Sequence, residues 1–463
     1  MSDIVVLATT WTFLVYSLGL AIVYLGLTLM ASRDLRELTL ARRSEPPNEL
    51  FALPLTPPIS VLTPAYNEAA GIVESVRSLL GLNYPELEVI VISDGSTDDT
   101  LERLAAAFAL EPFDRVLQDA IDTAPVRGVF RSQLEPNLLV IDKENGGKAD
   151  ALNSGINASR YPLVCSIDAD SILESDALLK SVTPIVHRPD LTIATGGIVR
   201  IANGAHFEGG SLINTGVPRG LLARFQLVEY LRAFIVGRAG WSRLKALMIV
   251  SGAFGVFRRD VLLEVGGYRT DTVGEDMELI VRLHRHMYDQ DRPYRIEFIP
   301  DPVCWTEAPE SLSVLRKQRT RWQRGLLDTM RIHREMLFKR RYGRLGLVGM
   351  PYFLAFELLG PAIEVLGIAL TAVFAWQGLL HPAYALLLIG ASIAVGVATS
   401  VASLAFEEAA FHRYPSWRHT AMLLVFSVLE NFGYRQLTAW WRLVGLWQGL
   451  HGRSSWGAMT RIG

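Results

Sequence analysis

Leu163-Val164-Cys165-Ser166-Ile167-Asp168-Ala169-Asp170 is a short apolar run closed by two carboxylates. A run of this length and composition reads as a buried strand. Asp168 and Asp170 stand at i and i+2 at its end, where their side chains can converge on one hard cation. A magnesium or manganese ion held there can bridge a diphosphate and neutralise a leaving group. Short acidic pairs are common, so the neighbouring sequence decides what this one means.

Similar apolar runs at 59–62, 88–92 and 138–141 alternate with helical patterns at 69–80, 97–108, 148–158 and 175–187. Strand–helix alternation predicts a Rossmann-like α/β domain over 59–310, with a largely parallel sheet and ligands at the carboxyl ends of its strands. The stretch 110–136 is too long for a simple connection and predicts an inserted loop or hairpin.

The flanks are different. Of 463 residues, 50% are hydrophobic and 20% charged, below the quarter or so usual in soluble domains, and the mean hydropathy is +0.25. Residues 4–30 carry no charge and suffice to span a bilayer. No basic segment precedes them, so 1–31 reads as an anchor rather than a cleaved signal. Arg33, Arg36, Arg42 and Arg43 follow, which puts the next segment in the cytoplasm. Residues 32–58 read as an amphipathic surface helix and a linker containing Pro46, Pro47, Pro54, Pro57 and Pro58.

Behind the α/β domain, 311–344 is a basic helical region suited to an anionic lipid surface. Residues 345–463 hold apolar segments near 345–376, 384–405 and 419–443. Glu357 and Glu364 lie in the first of them, and carboxylates at membrane depth must face protein, a polar cavity or the interface. Four spans would leave the C-terminus outside, whereas Arg442, Arg453 and Arg461 favour the inside. The net charge of −2 offers no basic excess for nucleic acid. Two cysteines, Cys165 and Cys304, are too few for a disulfide framework and read as reduced packing residues.

Four further segments carry chemistry. Pro64-Ala65-Tyr66-Asn67-Glu68 and Ser93-Asp94-Gly95-Ser96-Thr97-Asp98-Asp99 end the first two strands. Asn67 and Glu68 are candidate donor contacts or simple helix starters. Asp94 is placed to accept hydrogen bonds from a base or ribose, while Asp98 and Asp99 read as helix N-terminal acids. Asn145-Gly146-Gly147-Lys148 lets backbone approach a ligand and adds a cation for phosphate, without Walker spacing. Gly274-Glu275-Asp276 opens a helix, where an acid can take a proton from an attacking hydroxyl or merely cap. In Gln318-Arg319-Thr320-Arg321-Trp322, Gln318, Arg321 and Trp322 share one helix face. Arginine there can grip a diphosphate and tryptophan can stack on a sugar, or the helix can simply sit at a membrane interface.

Taken in order, these motifs resemble those of membrane-bound processive glycosyltransferases, which include cellulose, hyaluronan, chitin and poly-N-acetylglucosamine synthases. The resemblance implies a GT-A-type catalytic domain combined with α-helical transmembrane segments. It implies that Asp94 contacts the nucleoside, Asp168 and Asp170 form the D-x-D site for Mg2+ or Mn2+, and Asp276 is the base beside Glu275. It also implies that Gln318, Arg321 and Trp322 form the Q-x-x-R-W motif, and that Val250-Ser251-Gly252-Ala253-Phe254 lines the acceptor, with Ser251, Gly252 and Trp322 in contact. Trp456-Gly457-Ala458-Met459-Thr460-Arg461 looks like the tail motif of some members. The base motif reads G-E-D rather than T-E-D, and the acceptor loop lacks the cellulose synthases' cysteine.

The expected function is inverting transfer from a nucleotide-diphosphate sugar, UDP-GlcNAc or another UDP-hexose, to a growing polysaccharide. The protein is expected in the inner or plasma membrane, with the catalytic domain in the cytoplasm and membrane lipids as partners. The alternatives are single glycosylation of a lipid acceptor and an inactive sugar-binding scaffold. No nucleic acid is expected.

Overall fold

The computed structural model describes residues 2–44, 56–208, 211–379, 382–411 and 416–452. The prolines at 46, 47 and 54, Arg453, and the 456–461 motif with Arg461 lie outside the described residues. Among those described, the strands in chain order are β1 (Ile59–Ala65), β2 (Leu87–Asp94), β3 (Leu110–Pro112), β4 (Val126–Ser132), β5 (Leu138–Lys143), β6 (Leu163–Ile167), β7 (Ile172–Leu173), β8 (Thr192–Ile201), β9 (His206–Glu208), β10 (Ser211–Asn214), β11 (Phe254–Arg258) and β12 (Arg295–Thr306). Ten of them form one sheet in the order β3-β4-β5-β2-β1-β6-β11-β8-β12-β7, and β9 pairs with β10 apart from it.

The centre is parallel: β1 pairs with β2 and β6, and β2 with β5. Val61, Val89, Ile90, Val91, Ile92, Val140, Ile141 and Val164 are fully buried there, as helices on both faces require of a parallel sheet. The flanks correct the expectation of a largely parallel sheet. β11 runs antiparallel to both β6 and β8, and β4 antiparallel to β5, while β8 pairs parallel with β12. The 110–136 insertion is a hairpin, β3 pairing antiparallel with β4. Because β1 lies between β2 and β6, chain connections leave it in opposite directions, and a cleft opens at the carboxyl ends of these strands.

Two helices fix what stands over the cleft. Leu312–Ile332 begins at Ser311, whose Oγ accepts from the Val314 amide at 3.3 Å. It packs backbone to backbone on Glu275–Asp289: a Cβ built on Gly274 would lie 2.7 Å from the Gly325 Cα. Only glycines permit that approach, which gives a physical reason for glycine in G-E-D. Farther along, buried Glu278 takes three hydrogen bonds from Arg282 and lies 3.0 Å from His333 Nε2, tying the same helices again.

The N-terminal anchor and the expected surface helix are one continuous helix, Ser2–Ser44. Leu7, Trp11, Val15, Leu18, Ile22, Leu25 and Leu29 face outward along it, an apolar surface larger than a soluble monomer usually shows. Among the described residues, two helices are long and apolar enough to cross a membrane, Val6–Arg33 and Ile393–Phe411, or three spans if the pair Leu345–Leu358 and Gly360–Trp376, bent by 41°, counts as one. The expected 419–443 segment is not one helix. Trp417–Leu429 and Tyr434–Leu450 are separate helices, and Gly433, at φ 92°, immediately precedes the second. Tyr434–Leu450 lies along Leu312–Ile332, with Arg442 Nε donating to Gln323 Oε1 at 2.8 Å. Arg442 also meets the Glu357 carboxylate at 2.9 Å, and Tyr352 donates to it at 3.2 Å, so this carboxylate faces protein.

Gly325→Val should force the two cleft helices apart and lower stability by about 1–3 kcal/mol. The check is the thermal unfolding midpoint in detergent, and an unchanged midpoint would contradict the contact.

Candidate active site

Each sequence motif reaches the cleft from a different element. Tyr66, Asn67 and Glu68 leave the end of β1. Asn67 sits at φ 57°, its Oδ1 accepting from the Thr97 amide at 2.8 Å, and its own amide donates to Ser96 Oγ at 3.2 Å. The Asp98 carboxylate joins the two turns by accepting from the Ala69 and Thr100 amides, both at 3.1 Å. Burial pulls that carboxyl's pKa up, but hydrogen bonds from the Thr100 hydroxyl and these amides outweigh it and hold it below the usual range. Asp98 is therefore a clamp between loops as well as a helix-terminal acid.

Asp94, at the end of β2, is almost fully buried and both its oxygens are engaged inside the protein. Oδ1 accepts from Lys143 Nζ at 2.8 Å and from the Gly146 amide at 3.0 Å; Oδ2 accepts from the Gly147 amide at 2.8 Å. Asn145 Nδ2 donates to the Asp94 carbonyl at 2.7 Å. In this state Asp94 shapes the N-G-G loop rather than offering a bare carboxylate to a ligand. Lys143 is fully buried and lies 2.5 Å from Asp150 as well. Neither Lys143 nor Asp150 was singled out from sequence, although a lysine ending an apolar strand was the visible signal.

Lys148 gathers the remaining motifs. Its ammonium pairs with Asp168, donates to the Gly252 carbonyl at 2.8 Å and lies 4.0 Å from Glu275. Burial opposes its charge, but Asp168 first and then Glu275 and Asp276 more than offset this and raise its pKa above the ordinary lysine value. Glu275 is buried, and that burial pushes its carboxyl well above the ordinary range despite Lys148 beside it. The Asp168 amide donates to the Ala253 carbonyl at 3.3 Å, so the V-S-G-A-F loop lies directly against the D-x-D turn. Lys148, Val250, Ser251, Gly252, Tyr268, Glu275 and Asp276 line one pocket.

Asp276 is half-buried in that pocket, its Oδ1 accepting from the Met277 amide at 2.8 Å. A Cβ on Gly252 would lie 2.8 Å from Asp276 Oδ2. The acceptor-loop glycine thus sets where the second carboxylate oxygen stands.

The Q-x-x-R-W residues lie on Leu312–Ile332. Trp322 is 43% exposed, enough to offer a ring face to a ligand. Gln318 Oε1 is buried without a hydrogen-bond partner, the kind of atom that marks an unfilled polar contact. Arg321 is close enough to Glu275 to lower its pKa, which puts it on the cleft side. Arg319 is otherwise occupied: it makes a two-pronged contact with Glu229 at 2.7 and 2.8 Å, Tyr434 donates to the same carboxylate at 2.8 Å, and its guanidinium lies 4.5 Å from the Trp322 ring centre.

Asp168 and Asp170 offer hard oxygen donors that suit a divalent magnesium-like ion. Among the described residues no cluster of three or more His, Cys, Asp and Glu side chains forms a complete cage. An ion here would take its other positions from water and a phosphate-bearing ligand, as magnesium sites commonly do. Cys165 and Cys304 are free and buried.

Two substitutions test the geometry. Gly252→Ala should displace Asp276 and cut turnover on the order of 10²-fold, with nucleotide binding by calorimetry unchanged; normal turnover would contradict the contact. Lys143→Met leaves Asp94 and Asp150 buried without their cation, and should cost about 3–5 kcal/mol in chemical unfolding.

Residues 57–325 match the family described as glycosyltransferase like family 2. The chain is 31% identical over 270 residues to the poly-beta-1,6-N-acetyl-D-glucosamine synthase of Staphylococcus epidermidis, covering 58% of this chain and 54% of that one. The Staphylococcus aureus (strain COL) protein of the same name is 30% identical over the same share. The chain thus spans about half the length of the curated relatives it matches. Among solved structures, the mannosyltransferase PcManGT from Pyrobaculum calidifontis, in complex with GDP-Man and Mn2+, superposes with a TM-score of 0.57 at 20% identity, over 94% of this chain and all of that one. That likeness carries the GT-A fold. With its family matched over more than half its length, the chain belongs to the family 2 glycosyltransferases.

Proposed function

We propose that this glycosyltransferase extends a polysaccharide by inverting transfer from a UDP-hexose, with UDP-GlcNAc the first candidate, in a cleft at a membrane surface. The observation that carries the reading is the Lys148-centred cluster, in which one ammonium ties the D-x-D turn to a pocket lined by the acceptor loop and the G-E-D helix. The names of the curated relatives support the polymer and its N-acetylglucosamine unit.

The roles follow from position. The turn around Tyr66–Asn67 and the N-G-G loop held by Asp94 face the nucleoside end of the donor. Asp168 and Asp170 hold a divalent ion, Mg2+ or Mn2+, which when bound offsets the charge of the departing diphosphate. Arg321 supplies further positive charge, and Trp322 stacks on a sugar face. Asp276 accepts the proton of the acceptor hydroxyl as that oxygen bonds to the anomeric carbon. The bond from that carbon to the diphosphate breaks on the opposite side, which inverts the configuration. Glu275, kept from full ionisation by its burial, leaves Asp276 as the base of the pair.

The membrane assignment rests on the apolar helices and the outward apolar face of Ser2–Ser44. Three crossings, with the bent pair as one, put Tyr434–Leu450 on the same side as the basic helix it packs against. Four crossings would separate these neighbours. The arginines after the first span place that side in the cytoplasm.

The test uses the purified protein in nanodiscs with a panel of nucleotide sugars and Mg2+ or Mn2+. The wild type should release nucleoside diphosphate and build a ladder of products. Asp276→Asn should reduce transfer about 10²–10⁴-fold while retaining donor binding. A single lipid-linked sugar as product would contradict the polymerase reading, and normal transfer by the variant would exclude Asp276 as base.

A further inference from the structure

We propose that Arg238 is an acceptor-binding residue, whose guanidinium fork donates to the oxygens of the sugar presented to Asp276. The inference rests on the transferase reading above and adds a contact to it.

Arg238 ends the π-helical segment Arg232–Arg238 and is half-buried. Two contacts orient its guanidinium. Nε donates to the Val250 carbonyl at 2.7 Å, at the start of the acceptor loop, and the group lies 3.8 Å from the centre of the Phe234 ring. Val250 lines the pocket that also holds Gly252 and Asp276. The fork is therefore anchored on the acceptor loop itself.

Its neighbours in the chain are partnered differently. Arg232 pairs with Glu430 and Ser400, and Arg243 with Glu37. Among the described residues, no carboxylate lies within ion-pair distance of Arg238, and its two amino groups donate to no protein acceptor. Burial without a pairing acid draws its pKa down to about 10, opposed by Tyr230 and Asp276. A cation kept in this way, with both amino groups unpartnered by protein, is matched to neutral oxygen acceptors. Sugar hydroxyls and an N-acetyl carbonyl are such groups. A purely structural arginine would need only the Nε bond and the ring stack.

The test measures nucleoside diphosphate release from a panel of UDP-hexoses including UDP-GlcNAc, with Mn2+ and N-acetylglucosamine oligosaccharides as varied acceptor. For Arg238→Gln, acceptor KM should rise roughly tenfold to a hundredfold, with donor KM unchanged. Arg238→Lys, which keeps charge but not the fork, should fall between. Added guanidinium should partly restore acceptor use by Arg238→Ala, a rescue that a packing role would not produce. An active wild type with unchanged acceptor KM in Arg238→Gln overturns this inference alone, as does a parallel loss of donor and acceptor affinity together with thermal stability. A wild type inert with every donor overturns the transferase reading beneath it.

Discussion

The Lys148 ammonium is the point on which the cleft depends. It stands between Asp168, the Gly252 carbonyl and Glu275, groups from three segments remote in sequence. Two carboxylates drawn toward one partly buried cation hold the D-x-D turn, the acceptor loop and the G-E-D helix at fixed separation. The same acids that stabilise the lysine charge would repel a diphosphate if left bare. Lys148 therefore preorganises an anion site in the absence of donor, and Glu275 pays part of the electrostatic cost through its raised pKa. Beneath this cluster, Asp94, Lys143 and Asp150 form a second, fully buried charge group that fixes the loop from which Lys148 arises.

The catalytic domain and the apolar helices are joined by charge as well as by packing. Arg200 in β8 pairs with Glu407, Arg232 with Glu430, and Arg319 with Glu229, which also accepts from the Tyr434 hydroxyl. Buried pairs of this kind contribute little net stability over an apolar contact, but losing one partner is costly. They act as registers: the helices dock on the sheet in one arrangement or leave charges unpaired. The Q-x-x-R-W helix is locked by this network through Arg319, which leaves Arg321 near Glu275 in a defined position. Gly274 against Gly325 then transmits that position to the helix bearing Asp276.

Much of the fold was legible because a strand buried on both faces must be a continuous apolar run. The segment Leu163–Ile167 and the helix Lys148–Ala158 appear with the bounds expected of them. The helices after β1 and β2 begin at Ile72 and Thr100, three residues later than their patterns implied, because the turns before them are held by bonds across loops, Asn67 with Thr97 and Asp98 with Ala69. Such bonds leave no local signature. Lys143 was missed for a related reason: a charge at a strand end looks solvated until two distant acids are seen to enclose it. Arg238 lies in a π-helical turn, where the ordinary helical period does not apply. The motif residues 252, 275 and 276 do meet in one pocket, with Asp168 tied to it through Lys148, whereas the Asp94 carboxylate is already satisfied by the loop it supports.

Binding of nucleoside diphosphates to wild type and Asp168→Asn, titrated calorimetrically with and without Mn2+, tests the central claim most directly. If the Lys148-centred cleft is the donor site, the wild type should bind UDP, or GDP or ADP in its place, far more tightly with Mn2+. The variant should lose that metal-dependent gain while remaining folded. Metal-dependent binding that persists undiminished in Asp168→Asn would put the donor elsewhere and contradict the account.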